Sequence, residues 1–219
     1  MTAISTKGLT VHMTKAAATP TALVPTDISL AAPAVVTVAD TSGIISGNVV
    51  EMDNTGFSEL DGKMFIVSVI DATTFELLGS NTVGSTGTLA GSPEANVYIE
   101  SDMVLICLSA LTQNATEPGT VSTGTYCDPT TSIPSAVVEA GTLTLDGYVD
   151  VTSDDYQELL DAEEDGLSRT VRVTLPNNGY LIAPMVVSLI TWDLPLDGAI
   201  AYSGTAVLGS KLKHVYDDA

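Results

Sequence analysis

Leu60-Asp-Gly-Lys-Met-Phe-Ile-Val-Ser-Val-Ile-Asp-Ala-Thr-Thr-Phe-Glu-Leu-Leu78 decides the fold class. Asp61-Gly62 is a turn signal, because glycine enters the left-handed region at no steric cost. After it, Lys63 to Ile70 is rich in β-branched and aromatic side chains and is short enough for a strand. Thr74 to Leu78 then alternates apolar with polar, the period-two pattern of a half-buried strand. Working outward, the same grammar recurs at Val35 to Ala39, Val49 to Met52, Val97 to Glu100, Met103 to Leu108, Gly141 to Val151, Thr170 to Leu175, Met185 to Thr191 and Ala199 to Leu208. Asn177-Asn-Gly179 and Asp197-Gly198 mark further turns. The chain is expected to be all-β.

One segment breaks the pattern. Ser153-Asp-Asp-Tyr-Gln-Glu-Leu-Leu-Asp-Ala-Glu-Glu-Asp-Gly166 predicts a helix over 154–165. Ser153 suits the N-cap, Asp154 and Asp155 suit the positive end of the helix dipole, and Gly166 suits the stop. Tyr156, Leu159 and Leu160 make a narrow apolar stripe. Glu158, Asp161, Glu163, Glu164 and Asp165 have no balancing base. Acids in the last turn oppose the dipole, so either solubility or a surface that must stay negative selected them.

Composition narrows the partners. Of 219 residues, 45% are hydrophobic and 16% charged, against about 25% charged in an ordinary soluble domain. The charges are one-sided: 27 Asp and Glu against 7 Lys and Arg, a net charge of -20. A surface so poor in charge suits a subunit that buries much of it against other copies. Between Lys63 and Arg169 there is no base and there are 17 acids. Such a surface repels phosphates and anionic membranes. The start, Met1 to Thr10, lacks the apolar stretch of a signal peptide, and no run reaches membrane-spanning length. Cys107 and Cys127, without a secretion signal, are expected to be small buried side chains in a reducing compartment.

Catalytic chemistry finds no foothold. His12 and His214 are the two histidines, and neither sits in a nucleophile elbow. No Cys/His cluster has zinc spacing. Asp150-Val-Thr-Ser-Asp-Asp155 lacks the glycine and the closing glutamate of a calcium loop. Gly84, Gly87 and Gly91 lack the lysine and helix of a phosphate loop. No catalytic residue, metal or cofactor is expected.

Two stretches carry a resemblance. Ile45 to Leu77, with Leu60-Asp-Gly-Lys63 and Thr73-Thr-Phe-Glu-Leu77, is similar to a small β module recurrent in phage tail and baseplate proteins. Trp192-Asp-Leu-Pro-Leu-Asp-Gly-Ala-Ile-Ala-Tyr-Ser-Gly-Thr-Ala-Val-Leu-Gly-Ser210 looks like the closing strand of siphophage tail tube proteins, and the order strand, helix, strand pair from 141 resembles their core. The resemblance implies a β-sandwich flanked by one helix, forming hexameric rings whose inner sheets join into a β-barrel. Rings stack through a long loop and terminal arms. It places the protein in the virion tail, assembled in the host bacterial cytoplasm, with tape measure and terminator proteins as partners and DNA passing through. Residues 1–32 are then expected to be an N-terminal arm and the first part of the core. Residues 33–96 are expected to be a small Gly/Thr-rich β module, an insertion or elaboration, and 97–219 the main core with the helix.

A conduit for DNA needs carboxylates on its wall and no lysine or arginine. Glu139, Asp146 and Asp150 are the candidate lumen acids, because alternation sends every second residue of that strand to one face. The competing readings are a capsid decoration or head-tail joining protein, a tail-tip module that binds glycans, and a hydrolase using a carboxylate pair. Glycan platforms need aromatics, and the chain has one Trp, 7 Tyr and 3 Phe.

Overall fold

The computed structural model describes residues 8–114, 120–122, 132–134, 141–176, 179–210 and 212–216. Its strands, in chain order, are β1 (Thr10–Thr14), β2 (Thr21–Leu23), β3 (Asp27–Ile28), β4 (Ala34–Thr37), β5 (Val49–Asp53), β6 (Lys63–Val69), β7 (Thr74–Leu78), β8 (Glu94–Tyr98), β9 (Met103–Ile106), β10 (Ala110–Asn114), β11 (Thr120–Ser122), β12 (Ser132–Pro134), β13 (Thr142–Tyr148), β14 (Arg169–Thr174), β15 (Gly179–Asp193), β16 (Ala201–Leu208) and β17 (Lys213–Tyr216). One helix, α1 (Asp154–Asp165), lies between β13 and β14. The expected all-β class with one short helix is what forms. An eight-stranded sheet runs β10-β13-β16-β15-β14-β1-β9 with β17 beside β15, and a seven-stranded sheet runs β2-β8-β5-β6-β7-β4-β3. Every pairing is antiparallel.

β15 folds the larger sheet over. Its first part, Tyr180 to Met185, pairs with β14, and its second, Met185 to Asp193, pairs with β16. The register slips between Val187 and Leu189, and a bulge of this kind bends a strand and increases its twist. Both ends of the sheet consequently share one interior. Val11 and Met13 of β1, Val104 and Ile106 of β9, and Leu143 and Leu145 of β13 belong to a single buried cluster. The result is a sandwich, with β10, β13, β16 and distal β15 in one layer and β14, β1, β9 and β17 in the other. α1 packs its buried Tyr156, Leu159 and Ala162 onto the same core.

The smaller sheet has its own core, in which Phe65 and Phe75 are almost fully buried. Burying a side chain of that size contributes about 1.5–3 kcal/mol. Its other face rests on the β14 layer, where Val49, Ile66 and Leu78 meet Met103, Ile182 and Val215. A polar clasp crosses the same junction. Arg172 of β14 donates to the Gly47 carbonyl at 2.8 Å and to Glu100 at 3.0 Å, and His12 of β1 meets Glu100 at 2.9 Å.

Several elements differ from the reading of the sequence. Of residues 1–32, expected to hold an arm and the first part of the core, Thr10–Thr14 lies inside the larger sheet between β14 and β9. β2 and β3, also before residue 33, pair with β8 and β4 of the smaller sheet. β8 is displaced N-terminally to Glu94–Tyr98, and Glu100–Asp102 forms a 3-10 turn instead. The strand expected from Gly141 to Val151 ends at Tyr148. Cys107 is exposed rather than buried, because β9 has ended one residue before it; Cys127 lies outside the described residues.

Candidate functional site

Strand alternation gives the layer β10-β13-β16-β15 one face in the core and one outside. On β13, Leu143 and Leu145 point in, while Thr142, Thr144 and Asp146 line the other face. The ladder register builds rows across four strands: Asn114–Thr142–Val207–Val186, Thr112–Thr144–Thr205–Leu189, and Ala110–Asp146–Ser203–Thr191. The end row adds Tyr148, Ala201 and Asp193. Hydroxyls and small apolar groups dominate this face. None of the four strands carries a lysine or arginine, and their acids are Asp146 and Asp193. The smaller sheet sits on the opposite layer and does not cover this face.

Of the three candidate acids, Asp146 stands on this face, half-buried, and lines a shallow cleft of about 280 Å³ with Tyr148, Thr191 and Ser203. Its carboxylate accepts no hydrogen bond from any described residue. Asp150 lies past the end of β13, exposed, in a turn. It accepts from the Thr152 hydroxyl at 2.7 Å and the Thr152 N–H at 3.0 Å, and these bonds hold its pKa below the usual carboxylate value. Its position therefore follows turn geometry and not strand alternation. Glu139 lies outside the described residues.

Four of the seven helix acids have specific partners. Glu158 accepts from the Ala16 N–H, Asp155 from the Cys107 N–H and Glu163 from the Ile190 N–H, each at 2.9 Å. Asp165 pairs with Arg169 and accepts from the Leu167 N–H at 2.7 Å. Much of the acidic helix face is thus a row of acceptors for backbone donors that the sheets leave unpaired. Sequence reasoning could not see this, since the donors are up to 142 residues away.

Residues suited to chemistry are committed elsewhere. His12 is locked between Glu100 and Arg172; burial and then the Arg172 charge lower its pKa, against the pull of Glu100. His214 stacks edge-on against Tyr216. Burial, reinforced by Asp155 nearby, pushes the Cys107 thiol up, away from nucleophilic thiolate. Among the described residues no group of three or more His, Cys, Asp or Glu side chains could hold a metal ion.

No protein-family model matches the chain, and no curated protein matches it in sequence. Among solved structures the chain is similar to one from the tail of an empty GTA particle, computed with helical refinement and C6 symmetry. The two share 18% identity with a TM-score of 0.40, over 52% of this chain and 87% of that one.

Proposed function

We propose that the protein is the tube-forming subunit of a long-tailed phage tail, stacking as hexameric rings around a bore through which DNA passes. The observation that carries this reading is the open, base-free face of β10, β13, β16 and β15. A wall of hydroxyls with scattered carboxylates offers a polyanion neither counterion release nor a point of purchase. The resemblance of residues 45–77 and 192–210 to tail proteins supports the same reading. So does an edge strand, β10, that a neighbouring copy would pair.

In this arrangement Asp146 faces the lumen, Asp150 lies near its rim, and the smaller sheet, on the opposite layer, projects outward. The protein is a structural component of the virion, with tape measure and terminator proteins at the ends of the tube and no catalytic role. Negative-stain microscopy of the purified protein tests this directly. Tubes or stacked rings with a central bore are expected. Persistent monomers, even with an initiating tail complex present, would overturn the proposal. Single rings that never stack would point instead to a head-tail joining protein.

A further inference from the structure

The β15–β16 hairpin ends in an exposed tip. All residues from Thr191 to Ile200 are exposed, with Leu194 at 70% and Leu196 at 109% of full accessibility. The tip reads Asp193-Leu-Pro-Leu-Asp197: two leucines with a carboxylate on each side. Proline restricts both its own φ and the residue before it, so the tip is stiffened before any partner arrives.

At the other end of the same hairpin lies a groove of about 640 Å³ between the two sheets. Its apolar walls include Met64, Ile182, Pro184 and Leu212, and it carries Lys63 and Lys213. The chain has only 7 bases, so two in one groove is a strong local bias. Neither forms an ion pair among the described residues. Lys63 donates to the carbonyls of Ser58 and Glu59 at 3.1 and 2.9 Å. Lys213 lies over the Phe65 ring at 4.4 Å and is destabilised as a cation by burial and then by Lys63. Glu51 also lines the groove, but its carboxylate accepts from the Tyr98 hydroxyl at 3.1 Å.

We infer that the tip of one copy docks in the groove of the next, leucines against the apolar walls and Asp193 and Asp197 against Lys63 and Lys213. The two carboxylates of the tip are opposite in sign to the two ammonium groups of the groove, whose one acid, Glu51, is held by Tyr98, and the apolar parts match in kind. Tip and groove stand at opposite ends of the Met185–Asp193 ladder, roughly 27 Å apart at about 3.3 Å per residue. The contact is therefore head to tail, and it repeats without closing unless a rotation brings the chain back on itself. It rests on the reading of the protein as a self-assembling subunit and specifies how one layer of copies engages the next.

The test uses variants of the full chain. Leu194→Ser with Leu196→Ser blunts the tip at positions where folding has nothing to lose, and Lys63→Glu alters the groove. A Lys63→Glu/Lys213→Glu form strengthens that effect if its melting temperature matches the parent. By mass photometry and microscopy, each variant should lose stacking, by at least tenfold in polymer length, while keeping any single rings. Mixing the two should restore one contact, giving paired species that neither forms alone. Asp197→Lys in the Lys63→Glu background should recover stacking. Tubes of parental length from the tip variant, or an Asp197→Lys swap that restores nothing in folded protein, would overturn this contact and leave the tube reading standing. Parent protein that forms single rings only would also overturn it. A parent that stays monomeric with the initiating complex would overturn both.

Discussion

His12 shows what one side chain can report. Its imidazole faces Glu100 and Arg172 at the junction of the two sheets, and burial holds its pKa below the usual value of about 6.5. Above that pH both folded and unfolded chains carry it neutral, and the stabilisation is complete. As the pH falls below about 6.5 the unfolded chain takes up the proton first, so stability declines until the folded pKa is passed. Urea unfolding at pH 8, 6.5 and 5.5 should show this decline in the parent and less of it in His12→Gln, whose amide still donates to Glu100. Comparing the two chains cancels the carboxylates that titrate lower. Equal slopes would mean that His12 is not held neutral by its surroundings. Gly56 gives a second residue-scale prediction. Its φ is +85°, and an added Cβ would lie 2.1 Å from the Thr88 carbonyl oxygen. Gly56→Ala should destabilise by about 1–3 kcal/mol from backbone strain alone, with further loss from the clash, read as a drop in the thermal midpoint. Neither role was legible in the sequence. Glu100 and Arg172 lie 88 and 160 positions from His12, and only the folded sheets bring them together.

At the scale of elements, α1 carries the sharper lesson. Its ends were readable because capping is local: Ser153 is the N-cap and Gly166 takes the left-handed conformation at φ 62°. The purpose of its acids was not, because their partners are remote. Glu163 lies in the last turn, where a negative charge opposes the dipole by about 0.3–1 kcal/mol. If it were only a solvated group, removing it should stabilise the protein slightly. Instead it accepts from Ile190 on the edge of β15 that β14 has left, and an orphaned N–H there costs about 1–3 kcal/mol. Glu163→Ala should therefore destabilise by about 1–2 kcal/mol in chemical denaturation, and Glu163→Gln, which keeps an acceptor, by less than half of that. Strands divided along the same line. β6 and β7 were legible because both alternate cleanly after a glycine turn. β1 was missed because Thr10-Val-His-Met-Thr14 is short and turns its polar residues to the neighbouring sheet. β15 was seen only from Met185, since Pro184 suggests a break. Its missing N–H falls between the last β17 pair, at Ile182, and the first β16 pair, at Met185, where the ladder needs no donor.

For the whole molecule, the net charge of -20 is less informative than its distribution. Asp40, Asp71 and Asp150 are spent as acceptors in turns, with pKa values held down by those bonds. Asp155, Glu158, Glu163 and Asp165 of the helix bind backbone donors. What distinguishes the outer face of β10, β13, β16 and β15 is the lack of bases more than a surplus of acids. Asp146 stands on the outer face of β13, whereas the strand stops two residues short of Asp150, so alternation along it does not reach that residue. If this face lines a bore, one cation on it should change how assembled tubes treat DNA. Asp146→Lys turns a repelling group into a phosphate contact, repeated in every subunit around each ring. Tubes assembled with short duplex DNA and then treated with nuclease should retain protected DNA in this variant and none in the parent, with retention lost between about 50 and 200 mM salt as counterion competition grows. Asp27→Lys makes the same change of charge on the exposed β3 edge of the smaller sheet, where bound DNA would stay open to the enzyme. Protected DNA with Asp27→Lys and none with Asp146→Lys would put the bore on the other side of the molecule.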